Sequence, residues 1–310
     1  MTKLLVAGGK KLKSVEVINL DESNPELICD DLPDLPFPVI GGRGHLFQGK
    51  TPMFCGGFDF EENADSCQCH ALQKGEWQPI AALNACRRYF ARTTLSISNG
   101  NSNQEMPLMI AGNSKYEAFS GAEAFDGHVW RQDLVSSLPV RLVQGCVVKI
   151  NDTTLLVAGG IVDDEILSNR KTFFYNSLED KWFPGPTLPA SKNGPSCGLL
   201  NWFNPDSGKQ EKVVVVSGGD KSNDTFLLFM QDYDTKQSGW TIGPPVPVPS
   251  FVGTMTELHN SVILIGGGQD GHLYRLDSPF GTWVKMNQTL KVPRFGHDSF
   301  LIPDELVNCY

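Results

Sequence analysis

No apolar run in this chain approaches the roughly 20 residues that a bilayer-spanning helix needs. No stretch sustains the 3.6-residue apolar period of an amphipathic helix either. Positive charge is scarce: 26 Lys and Arg stand against 35 Asp and Glu, a net charge of −9. That balance excludes a general nucleic-acid or membrane surface, though not a local basic patch. The apolar segment within residues 1–9 is too short for a secretory leader and runs straight into the repeating pattern. The expectation is therefore a whole small protein or a domain cut from a longer one. The six histidines (45, 70, 128, 259, 272 and 297) are scattered thinly and form no ligand set. Cysteine is not scarce, but the eight residues (29, 55, 67, 69, 86, 146, 197 and 309) show no disulfide framework by spacing. Cys55, Cys146 and Cys197 sit inside apolar strand runs, where a thiol acts as a small buried hydrophobe. Reduced cysteines in a cytoplasmic protein are the expectation. Three N-x-T sequons, at Asn151, Asn223 and Asn287, are close to what chance places among 18 asparagines.

What the chain does have is a short apolar run ending in Gly-Gly, over and over. The runs are Leu4–Gly9, Pro52–Gly57, Leu155–Gly160, Val213–Gly219 and Val262–Gly267, with a degenerate copy at Pro107–Gly112. The first small residue of each pair falls at 8, 56, 111, 159, 218 and 266. A period near fifty residues indicates a repeat architecture. About twenty residues beyond five of these pairs comes a tryptophan: Trp77, Trp130, Trp182, Trp240 and Trp283. The first unit has Ile28-Cys29 at that place. Proline-containing exits follow most units, as at Leu32-Pro33, Leu138-Pro139, Leu188-Pro189 and Pro244-Pro245.

Residues 145–189 show one unit in full. Gly145–Ile150 is a β-branched strand, Asn151-Asp152-Thr153 a turn, and Leu155–Ala158 a continuous apolar strand buried on both faces. Lys171–Asn176 is a third strand and Lys181-Trp182-Phe183 opens a fourth. Four short strands, a to d, cannot bury their faces alone. Radial packing solves this, and predicts a six-bladed β-propeller occupying residues 1–310 as a single domain. The first unit lacks a strand a. Arg294–Ile302 supplies it from the C-terminus, which would close the ring and remove open sheet edges. The polar stretches Asn99–Glu105 and Asn204–Glu211 read as a–b insertions at one end. The acidic run Asp163-Asp164-Glu165 reads as a solvated b–c loop at the other.

Gly-Gly after strand b and Trp on strand d, in units of this length across the whole chain, resemble kelch repeats. Ala111-Gly112, the missing first tryptophan and an irregular strand-c aromatic (Tyr175 and Tyr274, but Phe125 and Ala71) depart from that pattern. The resemblance implies a non-catalytic, cofactor-free module, itself monomeric, that recognises a protein or peptide through its d–a and b–c loops. It further suggests the substrate-recognition domain of a BTB-kelch ubiquitin-ligase adaptor. A free-standing cytoskeletal scaffold is an alternative, and a sugar mutarotase-like enzyme at the channel mouth is another.

Adaptor-type kelch proteins often carry a basic residue before strand a. Arg43, Arg88 (or Arg87), Arg141, Lys192 and Arg294 match that position, with Phe251 in the sixth unit. Clustered at the mouth they would form a cationic ring, suited to an acidic or phosphorylated peptide. Tyr89, Tyr116, Phe251 and Phe295 are the nearby apolar anchors. Cys67-Gln68-Cys69-His70 has metal-like spacing but lacks two further ligands, so alternating packing on strand c is expected, with redox pairing to Cys55 the other option. No metal is expected.

Overall fold

The computed structural model describes residues 1–98, 103–162, 169–220, 222–230, 239–268 and 270–310. Asp163-Asp164-Glu165 and residues 99–102 of the first insertion lie outside them. The described residues form eight small antiparallel sheets, and no helix among them is long and apolar enough to cross a membrane.

Five of the sheets hold four strands in chain order, each from one sequence unit. The fourth unit is representative. Cys146–Lys149 pairs with Thr154–Ala158, which pairs with Thr172–Asn176, which pairs with Lys181–Pro184. The apolar second strands are enclosed on both faces: Leu155, Leu156, Val157 and Ala158 are all buried. The sheet of the first unit is assembled differently. Lys3–Ala7 pairs on one side with Val15–Asn19 and on the other with Asp298–Ile302, with Leu4 opposite Leu301. The insertion after strand a of the fifth unit is no loose loop. Pro195–Asn204 and Lys209–Gly218 stay paired out to Asn204 and Lys209, a long hairpin.

The repeated residues bind neighbouring units together. In five of the six pairs the second glycine donates its amide to the lead-in of the next unit: Gly9 to Val39 (2.7 Å), Gly57 to Arg87 (2.8 Å), Gly112 to Leu142 (2.8 Å), Gly160 to Lys192 (2.6 Å) and Gly219 to Ser250 (2.8 Å), while Gly267 donates to the Ser250 hydroxyl (3.2 Å). That crossing explains the glycines. A Cβ on Gly160 would stand 2.7 Å from the Val143 carbonyl, at a φ of +89° that side chains rarely adopt. The tryptophans bind backwards. Trp77 Nε1 donates to Pro33, Trp130 to Ala81, Trp182 to Ser136, Trp240 to Pro186 and Trp283 to Pro244, in each case a carbonyl in the preceding unit's exit. Tryptophan suits the task because it packs as a hydrophobe and still offers one donor.

The cysteines correct the expectation of free thiols. All eight are paired: Cys29–Cys309, Cys55–Cys69, Cys67–Cys86 and Cys146–Cys197. Cys55 and Cys69 face each other across adjacent strands, the pairing with Cys55 that the sequence left open. Cys67 and Cys69 are therefore not available to a metal. Cys29–Cys309 stands where the first unit has no tryptophan. Around it Ile28 and Tyr310 exchange both backbone hydrogen bonds at 3.0 Å.

Candidate functional site at the meeting of the first strands

The first strands of the six larger units touch in succession. Arg43–Phe47 contacts Ala91–Ser98, which contacts Cys146–Lys149, then Pro195–Asn204, Thr254–Leu258 and Asp298–Ile302, which returns to Arg43–Phe47. At the head of these strands six residues have left-handed backbone: Gly41, Tyr89, Gln144, Gly194, Val252 and Gly296, with φ between 51° and 72°. Their amides form a cycle. Gly41 donates to Gly296, Gly296 to Val252, Val252 to Gly194, Gly194 to Gln144, Gln144 to Tyr89 and Tyr89 to Gly41, at 2.8–3.1 Å. Three of the six are not glycine, and each such residue costs about 1–2 kcal/mol in that conformation. The cycle of bonds offsets this.

Behind this girdle lie two adjoining cavities that share Arg92, Val147, Cys197 and Met255. The smaller, about 80 Å³, is lined near the girdle by Arg43, Ser196, Thr254 and Asp298. The larger, about 330 Å³, lies further along the strands and is lined by His45, Thr94, Glu105, Lys149, Thr256 and Glu257 among others. Six units contribute to these walls, because alternate residues of each first strand point inward.

The charges in the walls are largely paired. Arg92 holds Asp298 (Nε–Oδ2 2.9 Å) and the Ser299 carbonyl (2.6 Å), while the Gly44 amide donates to the same Asp298 oxygen (2.7 Å). Arg43 donates to the carbonyls of Phe90 and His297, both at 3.1 Å. Lys149 meets Glu105 at 2.7 Å and holds that carboxyl below its usual range. Thr254 Oγ1 bridges Ser299 Oγ (2.7 Å) and His297 Nε2 (3.1 Å).

Three groups stand out chemically. Glu257 reaches into the larger cavity; its side chain is open to solvent there, yet the surrounding walls limit its hydration and push its carboxyl up to about 7, against the opposing Leu199 amide at 2.8 Å and the more distant Arg92. His45 is buried, and desolvation together with Arg92 keeps its ring neutral, well below the usual histidine range. A hydrogen bond to the Leu108 backbone opposes that shift, and His45 Nε2 has no partner among the described residues. Ser196, also buried, lines the smaller cavity, and its hydroxyl has no partner among the described residues. Buried polar atoms are seldom left unpaired, so both walls offer hydrogen-bonding capacity.

The basic residues expected to ring the mouth do not do so together. Arg294 and Lys192 are enclosed, 0% and 1% exposed, and cannot meet a partner. Arg294 clamps its own sheet: it donates to the carbonyls of Gly8 and Ser14 and pairs with Glu16. Arg87 repeats this in the third unit, donating to Ala111 and Gly121 and meeting Glu123 at 2.6 Å. Lys192 reaches Ser222 (3.0 Å) and Asp224 (3.3 Å). A guanidinium at this position satisfies carbonyls where the chain turns, which outcompetes exposure to solvent. Arg43 faces the cavity, not the loop surface. Arg88 lies 3.4 Å from Asp65 and over the rings of Phe58 and Tyr89. Arg141 and Tyr116 are exposed, Phe295 is 36% exposed, and Tyr89 and Phe251 are half-buried. His297 is fully enclosed, its ring driven to about 3 by burial and by Arg294 and Arg43, so it does not open to the cavity. The residues that sequence reasoning missed are Arg92, Glu257 and Ser196, each an inward-facing position on a first strand.

No protein-family model matches the chain, and no curated protein matches it. Among solved structures it is similar to the structure of YjhT, with a TM-score of 0.61 over 83% of this chain and 87% of that one. The two are 13% identical, so the likeness speaks for the fold alone. The fold is all-β and propeller-like.

Proposed function

We propose that this chain is a kelch-type propeller of six blades, shut by Asp298–Ile302 beside Lys3–Ala7, and that it is a binding module holding a small polar ligand in its axial cavity. The supporting observation is His45, which lines a cavity of about 330 Å³ and whose enclosed Nε2 has no hydrogen-bond partner among the described residues. Around it Arg92 is neutralised by Asp298 and Lys149 by Glu105. Such compensated walls, with the hydroxyls of Thr94 and Thr256, suit a hydroxyl-rich molecule of monosaccharide size better than a strongly charged one. Our reading is binding without turnover. Glu257 is the group that would exchange a proton if the ligand were converted.

The test is thermal denaturation against a panel of monosaccharides, sugar acids and polyols, for wild type, His45→Ala and Glu257→Gln. A saturable rise in melting temperature that His45→Ala abolishes is expected. A rise that persists unchanged in His45→Ala places the ligand elsewhere, and no rise with any compound removes the reading.

A second reading keeps a protein partner at the girdle end. Arg88 stacked over Tyr89, with exposed Phe295 and Arg141 and the half-buried Phe251, supports it. Arg294 and Lys192 take no part.

We further infer that the protein works in an oxidising compartment. Four disulfides persist there and are reduced in the cytosol. A ubiquitin-ligase adaptor works in the reducing cytosol, so that role is not carried forward.

A further inference from the structure

Of the three N-x-T sequons, one is closed by the fold and one is held in its own turn. Thr225, the hydroxyl residue of the Asn223 sequon, is fully buried, and its Oγ1 contacts Ser217 Oγ and accepts from Trp283 Nε1. Asn151 is exposed, and its side-chain oxygen accepts from the Thr153 amide at 2.9 Å, which leaves its Nδ2 open. Asn287 and Thr289 differ: both are exposed, and among the described residues neither side chain makes a hydrogen bond.

Their position adds a second observation. They lie on Val284–Thr289, the last strand of the sixth unit, which among the described residues pairs only with His272–Leu276 and leaves its other side as a sheet edge. Open edges invite pairing with another chain, and proteins blunt them with short strands, prolines or bulky polar groups. The corresponding strands of the other units use the first two devices. Trp130–Arg131 and Thr241–Ile242 are two residues long, while Glu76–Ile80 contains Pro79 and Lys181–Pro184 ends in proline. Val284–Thr289 is six residues long and has no proline; its edge devices are Lys285 and a register shift opposite His272–Tyr274. Val284 is 55% exposed.

We propose that Asn287 is an N-glycosylation site and that its glycan guards this edge. The oligosaccharide is joined to Asn287 Nδ2 by transfer from a lipid-linked donor, the nitrogen losing a proton and the donor's diphosphate leaving. Met286 turns inward against the apolar cluster shared with the first unit, so the neighbouring Asn287 points away from the protein. The glycan therefore needs no rearrangement of the sheet. This rests on the oxidising-compartment reading, since the same pathway that forms disulfides transfers the glycan.

The chain is secreted from a eukaryotic cell line behind an added signal peptide, in wild-type, Asn287→Gln and Thr289→Ala forms. Thiols are titrated without reductant, the Asn287 peptide is weighed before and after peptide:N-glycosidase treatment, and self-association is followed by light scattering. The expected result is no free thiol, a glycan on Asn287 lost in both variants, and at least a twofold higher aggregated fraction in both. Intact disulfides with an unmodified Asn287 peptide overturn the glycan while the compartment reading stands. Free thiols in the native protein overturn the compartment reading, and the glycan with it. A glycan whose loss leaves the aggregated fraction unchanged overturns the edge-guard role.

Discussion

The amide of Gly41 donates to the carbonyl of Gly296 at 2.8 Å, and that bond makes five other amide bonds into a cycle. Gly296 directly precedes the strand that the C-terminal region adds beside Lys3–Ala7. The two ends of the sequence thus meet both in a sheet and in the girdle. Each unit contributes one residue to that girdle, at the point where its lead-in turns into its first strand.

Gly160→Ala should lower stability by roughly 2–4 kcal/mol. A Cβ there meets the Val143 carbonyl at 2.7 Å and the Gly145 amide at 2.8 Å, both backbone atoms that cannot swing away. Gly208→Ala serves as the control: its φ is also positive, +66°, but a Cβ meets nothing within 4 Å. Urea denaturation of the two variants separates packing from backbone strain. Equal losses would mean the unit crossing is not the reason for the glycine.

Arg87→Met should cost about 3–5 kcal/mol, because it strands Glu123 without its partner in the protein interior. Arg87→Met combined with Glu123→Leu should recover much of that loss. The same pair of changes at Arg294 and Glu16 should behave alike, since the contacts repeat. A small effect from either arginine alone, read in the same denaturation experiment, would count against the clamp.

Glu257 gives the fold a pH dependence of unusual sign. Its carboxyl is raised to about 7 in the folded protein, above its value in an unfolded chain near 4.3. Between those pH values the folded state binds the extra proton, so this group lowers stability as pH rises through the window. Glu257→Gln removes that slope. Relative to wild type, the variant should melt progressively higher from pH 5 to pH 8. A constant difference across this range would show that the carboxyl titrates normally.

Cys29–Cys309 closes a loop of 280 residues and Cys55–Cys69 one of 14. Chain entropy assigns the first about 5.6 kcal/mol and the second about 3. Replacing both cysteines of a pair with serine should therefore cost more for the terminal pair, as measured by melting temperature under non-reducing conditions. The opposite order would show that local packing, not chain entropy, sets the contribution.

The period was legible in the sequence because glycine and tryptophan mark places where few residues fit. Gly-Gly sits where the next unit's backbone crosses, and tryptophan where a donor must reach the previous exit. What those residues bond was not legible, because each partner lies a whole unit away. The basic residues were misassigned for the same reason. Arg294 and Glu16 are 278 positions apart, and Arg87 and Glu123 are 36 apart, so no local pattern shows that the charge is spoken for. One signal was available: the units of Arg87 and Arg294 have a glutamate early in strand c, Glu123 and Glu16, which the units of Arg43 and Arg141 lack, and the unit with Lys192 has Asp224. The cysteines escaped because the separations of their pairs, from 14 to 280 residues, follow no spacing rule. Arg92 and Glu257 look like ordinary polar positions of half-exposed strands, and only the meeting of six such strands turns them toward one another.

The link between Cys29 and Cys309 also governs what a protease can accomplish. A single cut in any loop between these two residues leaves both fragments covalently attached, so the cleaved molecule migrates as one species until reductant is added. New ends can accordingly be opened at an exposed turn such as Ser207-Gly208, with the old ones joined by a short linker, and the permuted chain still finds its covalent tie.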